Sequence, residues 1–340
     1  PKVAVPKSKI SVSKFISALQ NYNMRMHDKL IICDGIAFIA GGRNIENSYF
    51  GLDDRNFYDR DLYFYSKSLT ENVRKYFLQL WDSKYVADIT YTYKSTGKRA
   101  YKKSENKVLG DKLLDEYYNK YLLDINTDFL PLIKGLYFNK ASFLSSYDSE
   151  NDNFNPEYLS TSLLNLIFKV KRELIIETPY LLPTDNLYKL LNYLSLNDVQ
   201  IEFITNSICS TDVMPIAAAY DNQKMKLNSL NIALFEYLGP DYLHVKSAVI
   251  DDRMALIGSY NMDPRSANIN TELVFIIDDP YVAAELKSII EDDKNKCIKV
   301  EENEQNTYGG YYGCWKNEKD MMTYLFFKVM TGYKLLYNQF

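Results

Sequence analysis

The chain of 340 residues contains two histidines, and each of them opens a copy of the same residue pattern. The first copy has His27, Lys29, Asp34 and Asn44, and the second has His244, Lys246, Asp251 and Asn261. Every matching position lies 217 residues further along the chain, as 27 and 244 or 44 and 261 do. Scattered core histidines would not share one offset. We therefore expect a duplicated α/β protein whose active site combines both histidines.

The second half alternates between helix and strand patterns, which is typical of an α/β domain. Helices are predicted at 160–171, 185–196, 213–230 and 280–294, and strands at 174–176, 201–205, 232–235, 244–250, 254–257 and 273–277. The first half has a matching strand pair at 26–33 and 36–40. Each half is then expected to be an α/β unit that contributes half of an active site with approximate two-fold symmetry.

The polar, turn-rich run 145–153 is the expected boundary, which gives halves of residues 1–150 and 151–340. The second half ends in an aromatic tail, Met321 to Phe340, that is either a packed terminal helix or an interfacial helix on a bilayer. From Ser160 onward, 84 residues of α/β pattern precede His244, but 26 residues precede His27. Loss of early strands would expose sheet edges. We expect that the N-terminal part of the first half is missing.

The composition of the chain limits the partners that we expect it to bind. The formal net charge is −4, whereas a protein that holds a long phosphate backbone is usually basic, so nucleic acid is not the expected partner. The four cysteines lack metal-ligand spacing, and a Cys297–Cys314 disulfide is left open. No run of 18 uncharged apolar residues is present, so no membrane-spanning helix is expected.

The duplicated pattern suits phosphodiester chemistry. One histidine can attack phosphorus while the second protonates the leaving oxygen and later deprotonates the incoming one. Developing negative charge can be stabilised without a metal by five donors, namely Lys29, Lys246, Asn44, Asn261 and the Ser259 hydroxyl. On a strand, a histidine and a lysine two residues apart point to one face. For the carboxylates that orient the imidazoles, we expect Glu272 beside His244 and Asp61 in the first half.

At these residues the chain resembles the phospholipase D superfamily, whose HxKxxxxD signature occurs here twice and complete. The resemblance implies an α-β-α sandwich in each half and a covalent phosphohistidine intermediate formed without metal or cofactor. It further implies that His27 is the nucleophile and His244 the general acid and base. The motif aspartates, Asp34 and Asp251, are then structural.

Finer features are similar to those of bacterial cardiolipin synthases. They are the runs 41–45, 178–183, 206–220 and 263–266, together with 270–272. This similarity implies transfer of a phosphatidyl group between phospholipids by an enzyme bound peripherally to a bacterial membrane surface. The alternatives are a phospholipase D that uses water as acceptor, such as a secreted bacterial effector, and, less favoured by the acidic charge, a metal-independent nuclease.

Overall fold

The computed structural model describes residues 25–83, 86, 138–148, 151–300 and 318–332. The chain divides into two compact units. One consists of Ile10–Arg74 with Phe138–Phe340, and the other of Pro1–Lys9 with Lys75–Tyr137. Both histidine motifs lie in the first unit, whereas most of the second lies outside the described residues. The units therefore do not divide at residue 150, where the sequence led us to expect a boundary.

The described residues form short strands and helices in alternation. The strands are β1 (Leu30–Cys33), β2 (Ala37–Gly41), β3 (Phe57–Tyr58), β4 (Asp61–Tyr65), β5 (Ala141–Ser145), β6 (Tyr147–Asp148), β7 (Asn153–Phe154), β8 (Glu173–Glu177), β9 (Gln200–Asn206), β10 (Ala233–Tyr237), β11 (Tyr242–Leu243), β12 (Ser247–Ile250), β13 (Met254–Gly258), β14 (Leu273–Asp278) and β15 (Cys297–Lys299). The helices are α1 (Lys67–Trp81), α2 (Pro156–Ile167), α3 (Asp185–Ser195), α4 (Met214–Asp221), α5 (Lys224–Asn228), α6 (Pro264–Asn268), α7 (Pro280–Lys294) and α8 (Glu318–Gly332).

The largest sheet has eight strands in the order β15-β10-β9-β8-β12-β13-β14-β5. The neighbours β8, β9 and β10 are parallel, and the remaining pairs are antiparallel. Every residue of β12 is buried, as expected of a strand that is covered on both faces. β5 lies before residue 150, yet it is an edge strand of this sheet. The sheet thus crosses the predicted boundary.

Helix starts follow from local capping. Asn155, Thr184, Asp263 and Asp279 precede α2, α3, α6 and α7, and each side chain accepts a hydrogen bond from a backbone N–H of the first turn. Leu159 and Leu163 of α2, Leu191 of α3 and Phe203 of β9 belong to one buried apolar cluster. The capped helices therefore cover the sheet that carries the second motif.

A three-stranded sheet, β1-β2-β4, repeats the antiparallel order of β12-β13-β14. Phe38 of β2 and Phe64 of β4 pack on Phe275 of β14, with ring centroids 5.2 Å and 5.5 Å apart. The hairpin turns also match, because Asp34 and Asp251 both have positive φ, 51° and 53°. The described part of the fold is α/β with two related sheet units, which agrees with the predicted duplication.

Three predicted elements differ from the structure. The strand expected at 26–33 begins at Leu30, and the strand expected at 244–250 is interrupted between β11 and β12. The predicted helix 213–230 consists of α4 and α5, separated at residues 222–223. The histidine and lysine of each motif thus lie just before a strand, where the backbone pairs with another segment instead of with the sheet.

The tail contains α8, which packs on α4. The Tyr324 hydroxyl donates to Asp221 at 2.7 Å, and the Asn222 amide donates to the carbonyl of Lys328 at 2.7 Å. The packed alternative is therefore confirmed for residues 318–332, and the rest of the tail lies outside the described residues. Among the described helices, none has both the length and the apolar character needed to cross a bilayer.

The described cysteines test the Cys297–Cys314 disulfide that the sequence left open. Cys297 carries a free thiol, so a Cys297–Cys314 bridge is wrong. Cys209 is the disulfide-bonded cysteine among the described residues. The thiol of Cys297 lies beside Asp293 and donates to its carbonyl at 3.3 Å, and burial raises its pKa to about 12. Cys297 is therefore an unreactive, protonated thiol.

Candidate active site

His27 is held by the segment that begins β14. Its backbone N–H donates to the carbonyl of Thr271 at 3.1 Å, and Met26 forms a parallel bridge with Thr271. The next residue, Glu272, then reaches the imidazole, with its carboxylate 2.9 Å from Nδ1 of His27. The carboxylate fixes the proton on Nδ1, which leaves the lone pair of Nε2 for chemistry.

His244 is held in the same way by the segment that precedes β4. β11 pairs in parallel with β3, and the backbone N–H of His244 donates to the carbonyl of Tyr58 at 2.8 Å. The next residue, Asp59, lies 2.6 Å from Nδ1 of His244. Each histidine is thus oriented by the carboxylate that immediately follows its backbone partner, and that carboxylate belongs to the other half of the duplication.

The carboxylates predicted from the sequence were wrongly paired. Glu272 contacts His27 instead of His244, and the carboxylate beside His244 is Asp59 instead of Asp61. Asp61 accepts from Nε of Arg43 at 2.7 Å and so holds the loop after β2. The prediction failed because it assumed pairing within each half, whereas the parallel bridges bring each carboxylate to the opposite motif.

Both carboxylates are buried and charged. Burial opposes ionisation of Glu272, but contact with His27 and the hydroxyls of Ser259 and Ser266 outweighs it and holds the pKa below its usual range. Burial likewise opposes ionisation of Asp59, yet Lys246 and the hydrogen bond from His244 lower its pKa. Two buried anions therefore hold the two imidazoles.

The two motif lysines bring positive charge to the site. The ammonium of Lys29 donates to the carbonyl of His27 at 2.6 Å, and that of Lys246 donates to the carbonyl of His244. Burial, and for Lys29 also the charge of Lys246, lowers the pKa of each lysine to about 8. Their influence on each other indicates that the two motifs share one electrostatic environment, suited to an anion.

The surroundings of His244 favour its neutral form. Burial and the charge of Lys246 lower its pKa to about 3, against the opposing effect of Asp59. Nζ of Lys246 also lies 2.8 Å from Nδ1 of His244, so this nitrogen faces both an ammonium and a carboxylate. The shorter contact, to the charged Asp59, requires the proton on Nδ1. Nε2 of His244 is then a hydrogen-bond acceptor.

The remaining predicted donors have different surroundings. The Ser259 hydroxyl donates to Glu272, so its place as a substrate donor was wrong, and it supports the carboxylate instead. The Asn44 amide donates to the hydroxyl of Tyr49 at 3.0 Å. The amide oxygen of Asn261 is buried without a partner among the described residues. A buried polar atom without a partner is costly, which is consistent with a ligand at this position.

The motif aspartates lie outside the charged centre. The carboxylate of Asp251 accepts backbone N–H groups of residues 171–173 at 2.7–3.2 Å and so ties the loop before β8 to the β12–β13 turn. Asp34 is exposed in the corresponding β1–β2 turn. Both positions have the geometry of a structural turn residue.

Sequence reasoning missed three contributors to the site. They are Asp59, which orients His244, Tyr49, whose hydroxyl lies 3.3 Å from Nε2 of His244, and Ser266, which donates to Glu272 at 2.7 Å. Positions 49 and 266 share the offset of the motifs, which could have drawn attention to them. The offset does not relate Asp59 to Glu272, because the loop between the motif asparagine and the carboxylate differs in length between the two halves.

Part of the chain is similar in sequence to known proteins. Residues 163–294 match the family model described as "Cardiolipin synthase, PLD-like domain". An uncharacterized protein of Helicobacter pylori strain J99 is 27% identical over 300 residues, which cover 82% of this chain and 59% of that protein. Cardiolipin synthase C of Escherichia coli K12 is 26% identical over 297 residues, covering 79% and 62%. The chain spans about three-fifths of the length of these curated relatives.

A solved structure shows the same fold at low sequence identity. The crystal structure of phosphatidylserine synthase from Haemophilus influenzae Rd KW20 superposes with a TM-score of 0.61 at 16% identity. The alignment covers 92% of this chain and 70% of that one. The chain is therefore similar to cardiolipin synthases in sequence and has a phospholipase D-like fold.

Proposed function

Since the chain carries a phospholipase D-like domain in residues 163–294, we propose that it is a phosphatidyltransferase of cardiolipin-synthase type. It moves a phosphatidyl group from one phospholipid to an alcohol of another through a phosphohistidine intermediate. The observation that carries this proposal is the pair of crossed contacts, Glu272 to His27 and Asp59 to His244. Two oriented imidazoles, each with a lysine beside it, supply the groups that double displacement at phosphorus needs.

His27 is the proposed nucleophile. Its Nδ1 proton is held by Glu272, so the Nε2 lone pair can form the N–P bond as the P–O bond to the leaving alcohol breaks. The side chain of His27 is 24% exposed, against 6% for His244, so His27 is the imidazole that a substrate can reach. The ammonium groups of Lys29 and Lys246 offset charge that develops on the phosphoryl oxygens.

His244 is the proposed acid and base. In the substrate-free site its pKa is lowered to about 3 by burial and by Lys246. An anionic phosphodiester beside the lysines offsets their charge and raises this pKa, so substrate binding itself favours the protonated acid. After the first alcohol leaves, neutral His244 accepts a proton from the second alcohol, which attacks phosphorus and releases His27.

The burial around His244 favours an alcohol acceptor over water. Tyr49, Phe57 and Tyr180 lie edge-on to its ring, with centroids 5.2, 5.4 and 6.5 Å away. These aromatic rings exclude solvent from the group that activates the acceptor, and exclusion of water protects a reactive intermediate from hydrolysis. This supports transfer to a lipid alcohol.

A peripheral position on a bilayer belongs to the same proposal. α8 packs on α4 but leaves one stripe of apolar side chains exposed, namely Met322, Leu325, Phe326 and Val329. These residues recur at helical spacing on one face. An apolar face beside an enzyme with lipid substrates supports interfacial binding.

Lipid turnover tests the proposal. The purified chain is incubated with mixed micelles of phosphatidylglycerol in the presence of a chelator, with and without a short primary alcohol, and the lipid products are identified by mass spectrometry. We expect the chain to produce cardiolipin and, when the short alcohol is present, the phosphatidyl ester of that alcohol. The His27→Asn variant is the inactive control. Phosphatidic acid as the sole product would contradict transfer, and the absence of any lipid turnover would contradict the function altogether.

A further inference from the structure

One side chain contacts the atom of His244 that must exchange a proton. The hydroxyl of Tyr49 lies 3.3 Å from Nε2 of His244, and the Asn44 amide donates to this hydroxyl at 3.0 Å. Because Asp59 holds a proton on Nδ1, Nε2 accepts in the neutral imidazole. The hydrogen bonds therefore run in one direction, from Asn44 through Tyr49 to His244.

Tyr49 is fixed in this position. Its ring stacks on Phe57 at a centroid distance of 4.5 Å and an interplanar angle of 11°, and the residue is 4% exposed. The guanidinium of Arg43 donates to the Tyr49 carbonyl. Burial, with Asp59 and Asp212 nearby, raises the pKa of Tyr49 above its usual range, so the hydroxyl keeps its proton.

The duplication provides an internal comparison for Tyr49. The position 217 residues later is Ser266, whose hydroxyl donates to Glu272 at 2.7 Å. No described hydroxyl contacts Nε2 of His27. The hydroxyl at this shared position supports the carboxylate in the His27 half and faces the reactive nitrogen in the His244 half. A nucleophile needs a free lone pair, whereas an acid and base needs a proton route, so the difference follows the proposed roles.

We propose that the Tyr49 hydroxyl carries the proton between Nε2 of His244 and the alcohol oxygen of the substrate, an inference that rests on the proposed function. In the first step His27 forms the N–P bond, the P–O bond breaks, and the leaving oxygen takes the Tyr49 proton. Protonated His244 returns a proton to the Tyr49 oxygen. In the second step the oxygen of the incoming alcohol forms a P–O bond as the N–P bond breaks, and the alcohol gives its proton to Tyr49, which passes one to neutral His244.

The experiment compares two phosphodiesters with the full chain. Phosphatidylglycerol releases an alkoxide that requires protonation, whereas a p-nitrophenyl phosphodiester releases a stable anion that does not. We expect Tyr49→Phe to slow the first step with phosphatidylglycerol by about 100-fold, the scale of a lost general acid. The first turnover of the p-nitrophenyl ester stays within about threefold of wild type, because that step involves no proton transfer.

Two controls make the outcomes distinct. Tyr65→Phe alters an exposed tyrosine of β4 and should leave both first steps unchanged. If Tyr49→Phe does not fold, 3-fluorotyrosine at position 49 keeps the ring and makes the hydroxyl more acidic, and it should change the phosphatidylglycerol rate alone. Equal losses with both esters, or no loss with either, would overturn the Tyr49 proposal. A wild-type chain that turns over neither ester would instead contradict the proposed function.

Discussion

The two halves of the site share one way of holding a histidine and differ in what surrounds its reactive nitrogen. In both, the histidine N–H donates to a carbonyl, and the residue after that carbonyl is the carboxylate on Nδ1. The halves differ at Nε2. The Tyr49 hydroxyl lies within hydrogen-bond distance of Nε2 of His244, whereas no described side chain is hydrogen-bonded to Nε2 of His27. The two halves thus share the part that fixes the imidazole tautomer and differ around Nε2, as the two proposed roles require.

The support of the two carboxylates also differs. Glu272 receives the hydroxyls of Ser259 and Ser266. At the position equivalent to Ser259 the first half has Gly42, where a Cβ would lie 2.4 Å from the carboxylate of Asp59. Serine hydroxyls thus hold Glu272 by donating hydrogen bonds to it, whereas Gly42 leaves space for the carboxylate of Asp59. Because each carboxylate orients the histidine of the opposite motif, neither motif alone forms a complete site.

Removing each histidine should give unequal losses. His27→Asn removes the proposed nucleophile and should lower kcat/KM for phosphatidylglycerol on the order of 100,000-fold. His244→Asn removes the proposed acid and base and should lower kcat/KM by about 100- to 10,000-fold. Steady-state assays of both variants, with thermal unfolding as the folding control, measure the difference. Equal losses for the two variants would mean that the halves are not chemically distinct.

Removing the charge of each carboxylate should show that the contacts cross between the halves. Glu272→Gln and Asp59→Asn should each lower kcat on the order of 1,000-fold, because an amide does not hold the required imidazole tautomer. Asp61→Asn is the matched control, since Asp61 pairs with Arg43 and contacts neither imidazole. A larger loss of kcat for Asp61→Asn than for Asp59→Asn would support Asp61 as the orienting carboxylate of the first half, as the sequence led us to expect.

Exchanging the residues next to the carboxylates should disturb each half differently. Gly42→Ser places a Cβ against Asp59 and should lower kcat by about 10- to 100-fold, the usual cost of disturbing a supporting contact. Ser259→Gly removes a donor to Glu272 and should cost about tenfold. The kcat values of both variants and of the double variant measure this. Full activity of Gly42→Ser would show that Asp59 does not need the space.

Loss of the lysine charges at high pH should give the smallest effect, and the lysines of both halves should contribute to it. Their pKa values are lowered to about 8, so the ammonium charge is present below pH 8 and is lost as the pH rises above it. KM for an anionic phosphodiester should therefore rise by about tenfold between pH 7 and pH 9.5 as the charge that holds the phosphate disappears. Lys29→Arg, which stays charged, should flatten this rise. A KM that is constant over this range would contradict the lowered pKa values.

The sequence predicted the strands and helices of the second half well, because periodic burial and capping residues are local properties. Helix 280–294 and the strand centres at 174–176 and 254–257 lie where the pattern indicated. The duplicated spacing likewise identified the histidines, lysines and asparagines. The partners of the histidines could not be predicted, since two short parallel bridges, Met26 with Thr271 and β11 with β3, decide which carboxylate reaches which ring.

Tyr49 shows a second limit of sequence reasoning. The offset that relates it to Ser266 is visible in the sequence, but a shared hydroxyl does not show which group each side chain contacts. Only the packing of the loop, with Tyr49 stacked on Phe57, turns its hydroxyl toward His244. The direction of a side chain in an irregular loop depends on tertiary contacts and not on local periodicity.

The most direct test of the unequal roles is the site of the covalent intermediate. The His244→Asn variant is mixed with a p-nitrophenyl phosphodiester that carries a radiolabelled phosphate, because its leaving group needs no acid. The reaction is quenched in alkali, and the labelled peptide is sequenced. We predict that the label is a phosphoramidate ester on the peptide that contains His27, and that His27→Asn takes up no label. Label on the peptide that contains His244 in the His27→Asn variant, or on any other residue in the wild-type chain, would contradict the account.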